Sequence, residues 1–268
     1  MSTVHANATE NNTMEQVRAK KFLGQHFLTD ESIAERIAHS ISDGTRCLLE
    51  IGPGMGVLTK YLVDSTEHQF KAIEIDRESV AYLHDHYPTL DVIEGDFLRL
   101  DLKNIFPEPF AVIGNFPYNI SSQILFQVFE NRHMIPEVVG MFQKEVAERV
   151  AAGPGSKTYG ILSVLLSAFY DIEYLFTVHE HVFNPPPKVK SAVIRLTRNS
   201  VTSLECDEKL FVQVVKAGFN QRRKTLRNAL RSAGLPIDAV DEAMLSKRAE
   251  QLSVEQFISL TKTIQSCL

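Results

Sequence analysis

Residues 48–58 read Leu48-Leu49-Glu50-Ile51-Gly52-Pro53-Gly54-Met55-Gly56-Val57-Leu58, an apolar run followed by closely spaced glycines. The run predicts a buried strand, and the glycines allow positive φ angles and a close backbone approach to a ligand. Val57 stands where the dinucleotide pattern G-x-G-x-x-G needs its last glycine. The stretch therefore predicts a ligand-binding turn at a strand end, of a kind other than the dinucleotide fingerprint.

Three more apolar runs downstream also end in polar motifs. The second run ends at Glu74, the third at Gly95-Asp96, and the fourth runs into Asn115-Phe116-Pro117-Tyr118. Glu74 follows Gly52 at roughly 20 positions, the spacing expected for a carboxylate that binds ribose hydroxyls. Strands that alternate with helices predict a parallel sheet, and the carboxyl ends of such strands meet in one crevice. We expect the four motifs to form a single site.

Asn-x-Pro-Tyr at a strand end suits the methylation of an exocyclic amine on a nucleobase. The lone pair of that amine is delocalised into the ring, so two acceptors must hold its hydrogens and redirect it. The side-chain oxygen of Asn115 and a backbone carbonyl stiffened by Pro117 are the predicted acceptors. Tyr118 offers a face for the base to stack on. Taken alone, a simple strand-end turn explains the same Asn and Pro.

The remaining pattern divides the chain into a tail and two predicted domains. Residues 1–17 are expected to be disordered, 18–199 to form the α/β domain and 200–268 a small helical domain. Prolines 185–187 predict an extended loop over 182–191 without regular structure. Strands are predicted at 47–51, 71–75, 91–94, 110–114, 137–142, 172–178 and 191–197. Helices are predicted at 30–41, capped by Thr29 or Asp30, and at 55–64, 77–86, 121–131, 143–150, 159–170, 207–233, 238–245 and 253–265.

Composition narrows the class of protein. Cys47, Cys206 and Cys267 are far apart and include no C-x-x-C, which argues against a zinc site or a disulfide framework. The N-terminus lacks an apolar signal region, and no apolar stretch is long enough to span a bilayer. We therefore expect a cytoplasmic protein without a bound metal.

Basic residues cluster although the net charge is −5. No acidic residue lies between Glu208 and Asp238, and Arg223, Arg227 and Arg231 are spaced to form one stripe along a helix. Such a stripe suits RNA phosphates, and a merely solvated helix face is the alternative. The predicted RNA-binding residues are Arg222, Arg223, Lys224, Arg227 and Arg231.

Over residues 18–232 the chain resembles the ribosomal RNA adenine-N6,N6-dimethyltransferase family, and most closely its small-subunit (16S) branch. The motifs that carry the resemblance are Gly24-Gln25-His26-Phe27-Leu28, Glu50-Ile51-Gly52-Pro53-Gly54, Glu74-Ile75-Asp76, Gly95-Asp96, Asn115-Phe116-Pro117-Tyr118, Phe183-Asn184-Pro185-Pro186-Pro187-Lys188-Val189 with Ser191, and residues 219–228. His26 departs from the more usual Asn, and Phe116 from the more usual Leu.

The resemblance implies a Rossmann-like class I methyltransferase with a mostly parallel seven-stranded sheet and a small all-α C-terminal domain. S-adenosylmethionine is the implied donor, and N6 of two adjacent adenosines is the implied acceptor. Asn115, Pro117, Tyr118 and Phe183 are the implied catalytic residues, the two aromatic rings stacking on the target base. The implied cofactor-binding residues are Gln25, His26, Leu28, Gly52, Gly54, Glu74, Ile75, Asp96, Phe97 and Asn115.

The implied partner is small-subunit ribosomal RNA in a pre-30S particle, bound by a monomer with no metal and no membrane. Two other functions remain open at this point. One is dimethylation of adenine in large-subunit RNA, of the antibiotic-resistance type. The triple proline and Gln221-Arg222-Arg223-Lys224 favour the small-subunit branch instead. The other is a binding factor in ribosome assembly or transcription for which methylation is incidental. A dehydrogenase is disfavoured by Val57 and by Asn-x-Pro-Tyr.

Overall fold

The computed structural model describes residues 17–65 and 68–268, so the tail predicted for residues 1–17 lies, except for Val17, outside the described residues. The strands within these residues are β1 Phe27–Leu28, β2 Cys47–Ile51, β3 Gln69–Glu74, β4 Asp91–Glu94, β5 Ala111–Asn115, β6 Glu137–Gln143, β7 Tyr170–Val178, β8 Phe183–Asn184 and β9 Ser191–Arg198. The α-helices there are α1 Glu31–Ala38, α2 Arg77–His86, α3 Ser121–Glu130, α4 Lys144–Val150, α5 Ile161–Ser167, α6 Glu208–Asn220, α7 Leu226–Ser232, α8 Glu242–Leu245 and α9 Val254–Gln265.

The central sheet has seven strands in the order β4-β3-β2-β5-β6-β9-β7. The first five strands in this order, β4-β3-β2-β5-β6, pair in parallel, whereas β9 runs antiparallel to both of its neighbours. All five residues of β2 are buried, as expected for a strand covered on both faces. The prediction of a mostly parallel, Rossmann-like α/β sheet is confirmed.

The strand order places a switch point between β2 and β5. From β2 the chain proceeds outward to β3 and β4 and then returns to β5 on the other side of β2. The helices that follow on either side diverge there and leave a crevice outside the carboxyl ends of the two strands. Gly52 and Asn115 lie at those two ends, so the fold brings the first and fourth motifs together.

The start of α1 agrees with its predicted cap. The Asp30 side chain accepts hydrogen bonds from the backbone N–H groups of Ser32 and Ile33, which would otherwise lack partners in the first turn. Helices α2 and α3 also begin and end within a residue of the predicted bounds.

The helix predicted for 55–64 is wrong. This stretch forms turns, with one short 3-10 helix at Thr59–Tyr61. Gly54 and Gly56 have φ angles of +56° and +80°, which lie outside the right-handed helical region. The glycines therefore shape a longer turn than the sequence pattern indicated.

The single helix predicted for 207–233 is also wrong, because α6 ends at Asn220 and α7 begins only at Leu226. The N–H of Leu226 donates to the Lys247 carbonyl at 2.8 Å instead of continuing a helix. Arg223 lies in the intervening turn, so it does not align with Arg227 and Arg231 in one helical stripe.

The proline loop contains more regular structure than predicted. Phe183–Asn184 form β8, which pairs antiparallel with Phe27–Leu28 of β1. The prolines begin only at Pro185, so the two preceding residues keep backbone N–H groups that can join a ladder. This short ladder ties the N-terminal segment to the loop.

The C-terminal helices share a core with the sheet. One cluster of buried side chains extends from Phe116 and Phe142 at the sheet to Phe219 of α6 and Phe257 of α9. The domain boundary at 199/200 stays a prediction. No helix of the described residues is both long and apolar enough to cross a membrane.

Candidate active site

A cavity of about 910 Å³, counting its open mouth, lies at the carboxyl ends of β2, β3 and β5. One wall is formed by the strand ends and the other by residues 23–27 of the N-terminal segment. The predicted site residues that line it are Gln25, His26, Gly52, Gly54, Glu74, Ile75, Asp96, Phe97, Asn115, Pro117 and Tyr118. The fold thus brings eleven residues from five separate stretches of sequence into one cavity.

The glycine turn forms a cradle at the base of this cavity. Gly52 and Gly54 have φ angles of +68° and +56°, and the Gly54 N–H donates to the Glu74 carboxylate at 3.1 Å. A Cβ atom on Gly54 would lie 2.8 Å from the Phe27 ring. Both the backbone angle and the available space therefore require glycine at residue 54.

Glu74 is the buried carboxylate that closes the second strand. Its oxygens accept from the N–H groups of Ile75 at 2.8 Å and Asp76 at 2.9 Å, in addition to Gly54. Burial raises the pKa of Glu74, although these three backbone hydrogen bonds act in the opposite direction. Since a carboxylate has about four acceptor positions, Glu74 retains capacity for a hydroxyl group.

Residues 20–28, here called the N-terminal strap, are fastened across the cavity. The Lys20 ammonium lies 2.5 Å from an Asp76 carboxylate oxygen, and the Gln25 amide donates to the other oxygen at 3.2 Å. Burial acts to raise the pKa of Asp76, but these hydrogen bonds outweigh it and hold the pKa below its usual value. The sequence analysis did not assign Asp76 to the site; its place before α2 signals only a helix cap.

The far end of the cavity combines an acid with apolar surface. Asp96 accepts from the Leu98 N–H at 3.0 Å and caps a short 3-10 helix. Ile75 and Phe97 both line the cavity; Ile75 is 51% exposed, whereas Phe97 is buried. An acceptor beside an apolar wall suits a purine ring with an exocyclic amine.

The opposite end is organised around Asn115. Its side-chain Nδ2 donates to the His26 carbonyl at 3.0 Å, and no described residue donates to its Oδ1. The amide is thus oriented with a free acceptor atom. The Pro117 carbonyl accepts from the Ile120 N–H at 3.2 Å and keeps a second lone pair for another donor.

Tyr118 and His26 form a small aromatic pair beside Asn115. The ring centroids are 5.2 Å apart with planes tilted by 31°. The Tyr118 hydroxyl is hydrogen-bonded to the buried Ser191 hydroxyl, and His26 Nδ1 donates to the Pro185 carbonyl at 2.7 Å. Burial raises the pKa of Tyr118, against that hydrogen bond from Ser191. The Tyr118 ring therefore lies next to His26 and also lines the cavity.

Leu28 and Phe183 are not part of the main cavity lining. They pair across β1 and β8, each with 4% exposure, and pack in a second core cluster. Leu28 lines a smaller neighbouring cavity of about 350 Å³ that Gly52 and Asn115 also reach. The stacking role predicted for Phe183 would require its ring to leave this packing, a requirement that no sequence pattern signals.

The five predicted RNA-binding residues lie outside both cavities, and two of them are engaged within the protein. Arg222 pairs with Glu250 at 3.0 Å and also donates to the Lys157 carbonyl, while Arg227 pairs with Glu242. The exposed members of the set are Arg223, Lys224 and Arg231. Contact of the five with RNA remains a prediction.

Glu50 is a buried acid that the sequence analysis assigned no role. It is 1% exposed, lines the smaller cavity and accepts from the Thr59 hydroxyl at 2.6 Å. Burial raises the pKa of Glu50 to about 8, with a further contribution from the charge of Glu74. The side chain is therefore largely protonated at neutral pH, which lets it lie beneath the glycine turn without a counter-ion.

The fold and the cavity together define a class I S-adenosylmethionine-dependent methyltransferase. The glycine cradle fits the amino-acid group of this cofactor, and the Glu74 carboxylate fits the ribose. The Asp96 carboxylate and the Ile75 side chain fit the adenine. The family model described as "Ribosomal RNA adenine dimethylase" matches residues 16–266, and the chain belongs to that family. The family expected from the sequence motifs is thereby confirmed.

Similar proteins cover nearly the whole chain. A protein of Cytophaga hutchinsonii named "Ribosomal RNA small subunit methyltransferase A" is 61% identical over 255 residues, covering 94% of this chain and 99% of the relative. A Bacteroides thetaiotaomicron protein of the same name is 58% identical over 260 residues, covering 95% and 97%.

Two solved structures share the fold over most of their length. A dimethyladenosine transferase from Plasmodium falciparum superposes with a TM-score of 0.74 at 26% identity, covering 88% of this chain and 96% of that structure. The 23S rRNA methyltransferase ErmE gives a TM-score of 0.69 at 27% identity, covering 89% and 99%.

Proposed function

We propose that this protein transfers methyl groups from S-adenosylmethionine to N6 of two adjacent adenosines in small-subunit ribosomal RNA, twice at each. The orientation of Asn115 is the observation that carries this proposal. Its Nδ2 donates to the His26 carbonyl at 3.0 Å, so Oδ1 is the atom left to accept a hydrogen bond from an amino group of the substrate. A hydrogen-bond acceptor held in this way suits an amino group as the nucleophile.

The acceptor end would activate the adenine amine by geometry. Asn115 Oδ1 and the Pro117 carbonyl each accept one amine hydrogen, which turns the nitrogen lone pair out of conjugation with the ring. The Tyr118 ring, which lines the cavity, would stack on the base after the base leaves its own stack. Because this amine bears a poor lone pair, positioning supplies much of the rate acceleration.

The donor end would hold the cofactor with the residues that line the cavity. Glu74 accepts from the ribose hydroxyls, Asp96 accepts from the adenine amine, and Ile75 packs against the adenine ring. Gly52 and Gln25 lie at the methionine end. When bound, S-adenosylmethionine supplies an electrophilic methyl carbon on a sulfonium sulfur. The amine nitrogen must approach that carbon from the side opposite to the sulfur. The alkylated nitrogen loses its proton to water, and no charged base is required at Asn115.

Sequence identity favours the small subunit over the large subunit as the source of the RNA. Relatives named for the small subunit are 56–61% identical over 94–95% of this chain, whereas the 23S rRNA methyltransferase ErmE is 27% identical. A binding factor that gates ribosome assembly would not need an oriented acceptor atom at Asn115. Methyl transfer is therefore the function that the site supports best.

The proposed partner is the RNA of a pre-30S particle, and the proposed location is the cytoplasm, where that particle is assembled. A monomer suffices, since one chain supplies both the donor and the acceptor ends of the cavity. A metal is not needed in this scheme, because positive charge is lost from sulfur along the reaction path instead of negative charge building up.

Incubation with methyl-labelled S-adenosylmethionine and undermethylated small subunits tests the proposal. We expect label on two adjacent adenosines at N6, with up to two methyl groups on each. Label in large-subunit RNA, or subunit binding without any transfer by the wild-type protein, would contradict the proposed function.

A further inference from the structure

The N-terminal strap carries an exposed aromatic ring directly before Leu23, which lines the cavity. Phe22 is 77% exposed and lies in the short 3-10 helix Lys21–Leu23. A single exposed apolar side chain is ordinary on protein surfaces. What distinguishes Phe22 is the combination of a fixed backbone, a position beside the active site and unpaired positive charge.

The backbone that carries Phe22 is held at both ends. Before the turn, the Lys20 N–H donates to the Gln25 side chain at 2.8 Å and the Lys20 ammonium pairs with Asp76. After the turn, Gly24 takes a φ of +67° and returns its N–H to the Lys21 carbonyl at 3.0 Å. The ring is therefore presented on a rigid turn, so a partner that binds it need not order a loose segment.

The turn lies on the rim beside the acceptor motif. Leu23, the next residue after Phe22, lines the cavity, and so does Asn119, which directly follows Tyr118. The Asn119 side chain donates to the Phe22 carbonyl at 3.4 Å. Phe22 is thus one hydrogen bond away from the loop that receives the target base.

The charged residues that precede Phe22, from Arg18 to Lys21, are all positive. Lys21 and Arg18 are both exposed, and neither forms an ion pair with any described residue. Lys20, in contrast, is paired with Asp76 and Glu78. An exposed ring flanked by unpaired cations is the combination by which proteins hold single-stranded nucleic acid, through base stacking and phosphate contact.

We propose that Phe22, with Lys21 and Arg18, forms an RNA-binding platform on the rim, on which an unpaired base next to the target adenosine stacks. This inference rests on the proposed function and adds a second contact to it. The target base enters the cavity between Asn115 and Tyr118, and its neighbour in the strand stays outside. Phe22 gives that neighbour a face to stack on, and the two cations contact the phosphates beside it.

The absence of tryptophan from the chain allows a direct optical test. Phe22→Trp introduces a single indole whose emission is quenched when a base stacks on it. Tyr174→Trp is the matched control, because Tyr174 is 37% exposed on the edge strand β7 at the far side of the sheet from β4. Both variants are titrated with an RNA hairpin that carries unpaired adenosines in its loop. We expect saturable quenching for Phe22→Trp and none for Tyr174→Trp.

Steady-state kinetics with undermethylated small subunits supply the second readout. Phe22→Ala should raise KM for the subunits by about 5- to 100-fold, the range that loss of one base–aromatic stack covers. Phe22→Tyr should keep KM within about 2-fold of the wild type, since the ring is retained. Cofactor affinity should be unchanged in both variants.

The two readouts separate this inference from the function on which it rests. If the wild type does not methylate small subunits, the proposed function fails, whereas quenching of Phe22→Trp is measured without catalysis. Normal methylation with no quenching and an unchanged KM for Phe22→Ala would overturn the platform. A raised KM with intact subunits but no quenching by RNA would assign the ring to a ribosomal protein and would also overturn it.

Discussion

Asn115 is held by one side-chain hydrogen bond, from Nδ2 to the His26 carbonyl, and its Oδ1 accepts from no described residue. Asn115→Ala should lower the methyl-transfer rate by about two to three orders of magnitude, because it removes a positioning group next to the reacting nitrogen. Calorimetry should find cofactor affinity nearly unchanged. Asn104→Ala, the same substitution at an exposed site away from the cavity, serves as the control. Parallel loss of cofactor binding and activity in Asn115→Ala would contradict the assigned role.

His26 contacts Tyr118 through its ring and Asn115 through its backbone carbonyl. His26→Phe keeps a ring beside Tyr118 but loses the hydrogen bond to Pro185, whereas His26→Asn keeps a donor and loses the ring. Each lost contact is worth about 0.5–1.5 kcal/mol. We therefore expect KM for small subunits to rise by about 2- to 10-fold in either variant.

Cofactor affinity is the measurement that separates two roles for His26. The family resemblance implies that His26 binds the cofactor, whereas its side chain contacts the Tyr118 ring and the Pro185 carbonyl. Weaker cofactor binding with unchanged KM for RNA would support the first assignment and refute the acceptor-side role.

Glu50 should make the stability of the protein depend on pH. Its pKa is raised from 4.5 to about 8, so between those values the folded state binds a proton that the unfolded state has lost. The free energy of unfolding therefore falls as pH rises across this window, by at most about 1.4 kcal/mol per pH unit. Glu50→Gln removes this dependence and can still accept from Thr59 through its amide oxygen.

Urea unfolding of both proteins at pH 5.5 and 7.5 tests this expectation for Glu50. We expect the free energy of unfolding of the variant, minus that of the wild type, to be more positive at pH 7.5 than at pH 5.5. A difference that is the same at both pH values would mean that the Glu50 proton is not retained on folding.

Four of the residues that line the cavity could be predicted from the sequence because each lies at the end of an apolar strand. Parallel strands place their carboxyl ends at one edge, so Gly52, Glu74, Asp96 and Asn115 had to converge. The position of Phe183 was not accessible, because its burial depends on pairing with β1 more than 150 residues earlier. The tie between Lys20 and Asp76 is likewise a tertiary contact that no local pattern encodes.

At the scale of elements, the strands were predicted better than the helices. Long apolar runs bounded by polar residues identify buried strands, and all seven sheet strands lie within two residues of their predicted bounds. The helix predicted for 238–245 begins only at Glu242, and two other predicted helices fail outright, for different reasons. In 55–64 the glycine φ angles prevent a helix, whereas the one glycine of 207–233, Gly218, lies inside α6 and not at the break. The break there comes from contacts of Arg222 and Leu226 with the following helical segment.

The break after α6 changes which cations of this segment are available to RNA. Arg223, Lys224 and Arg231 are exposed and form no ion pair with a described residue, while Arg222 and Arg227 are paired with glutamates. Replacing the three exposed residues with Gln should reduce the slope of log affinity against log salt by roughly 2 to 3. Each lost phosphate contact accounts for somewhat less than one unit.

The paired arginines of the same segment provide the control. Arg222→Gln removes one positive charge, as each replacement in the triple variant does, but it breaks the contacts with Glu250 and the Lys157 carbonyl. It should therefore lower stability with little change in the salt slope. Fluorescence titrations of small subunits at several salt concentrations measure the slope. An unchanged slope in the triple variant would indicate a merely solvated surface.

For the molecule as a whole, net charge opposes RNA binding. The chain carries −5 overall, so long-range attraction to a phosphate backbone must come from local basic patches. Two such patches are separate in sequence, one around Arg18 and Lys21 and one from Arg223 to Arg231. A substrate that contacts both patches at once binds the second one intramolecularly, so the entropy cost of association arises only once, provided that the shape of the substrate fits.

This arrangement predicts that a structured ribonucleoprotein particle is the efficient substrate. A short hairpin can occupy the cavity and the rim, but it offers no fixed phosphates to the second patch while its base is held at Asn115. We expect kcat/KM to be at least about 100-fold higher for undermethylated small subunits than for the hairpin, as expected when a second weak contact becomes intramolecular. In the variant with Gln at Arg223, Lys224 and Arg231, this advantage should shrink while hairpin methylation stays unchanged. Efficient and site-selective methylation of the hairpin by the wild type would refute this division of labour between the cavity and the C-terminal helices.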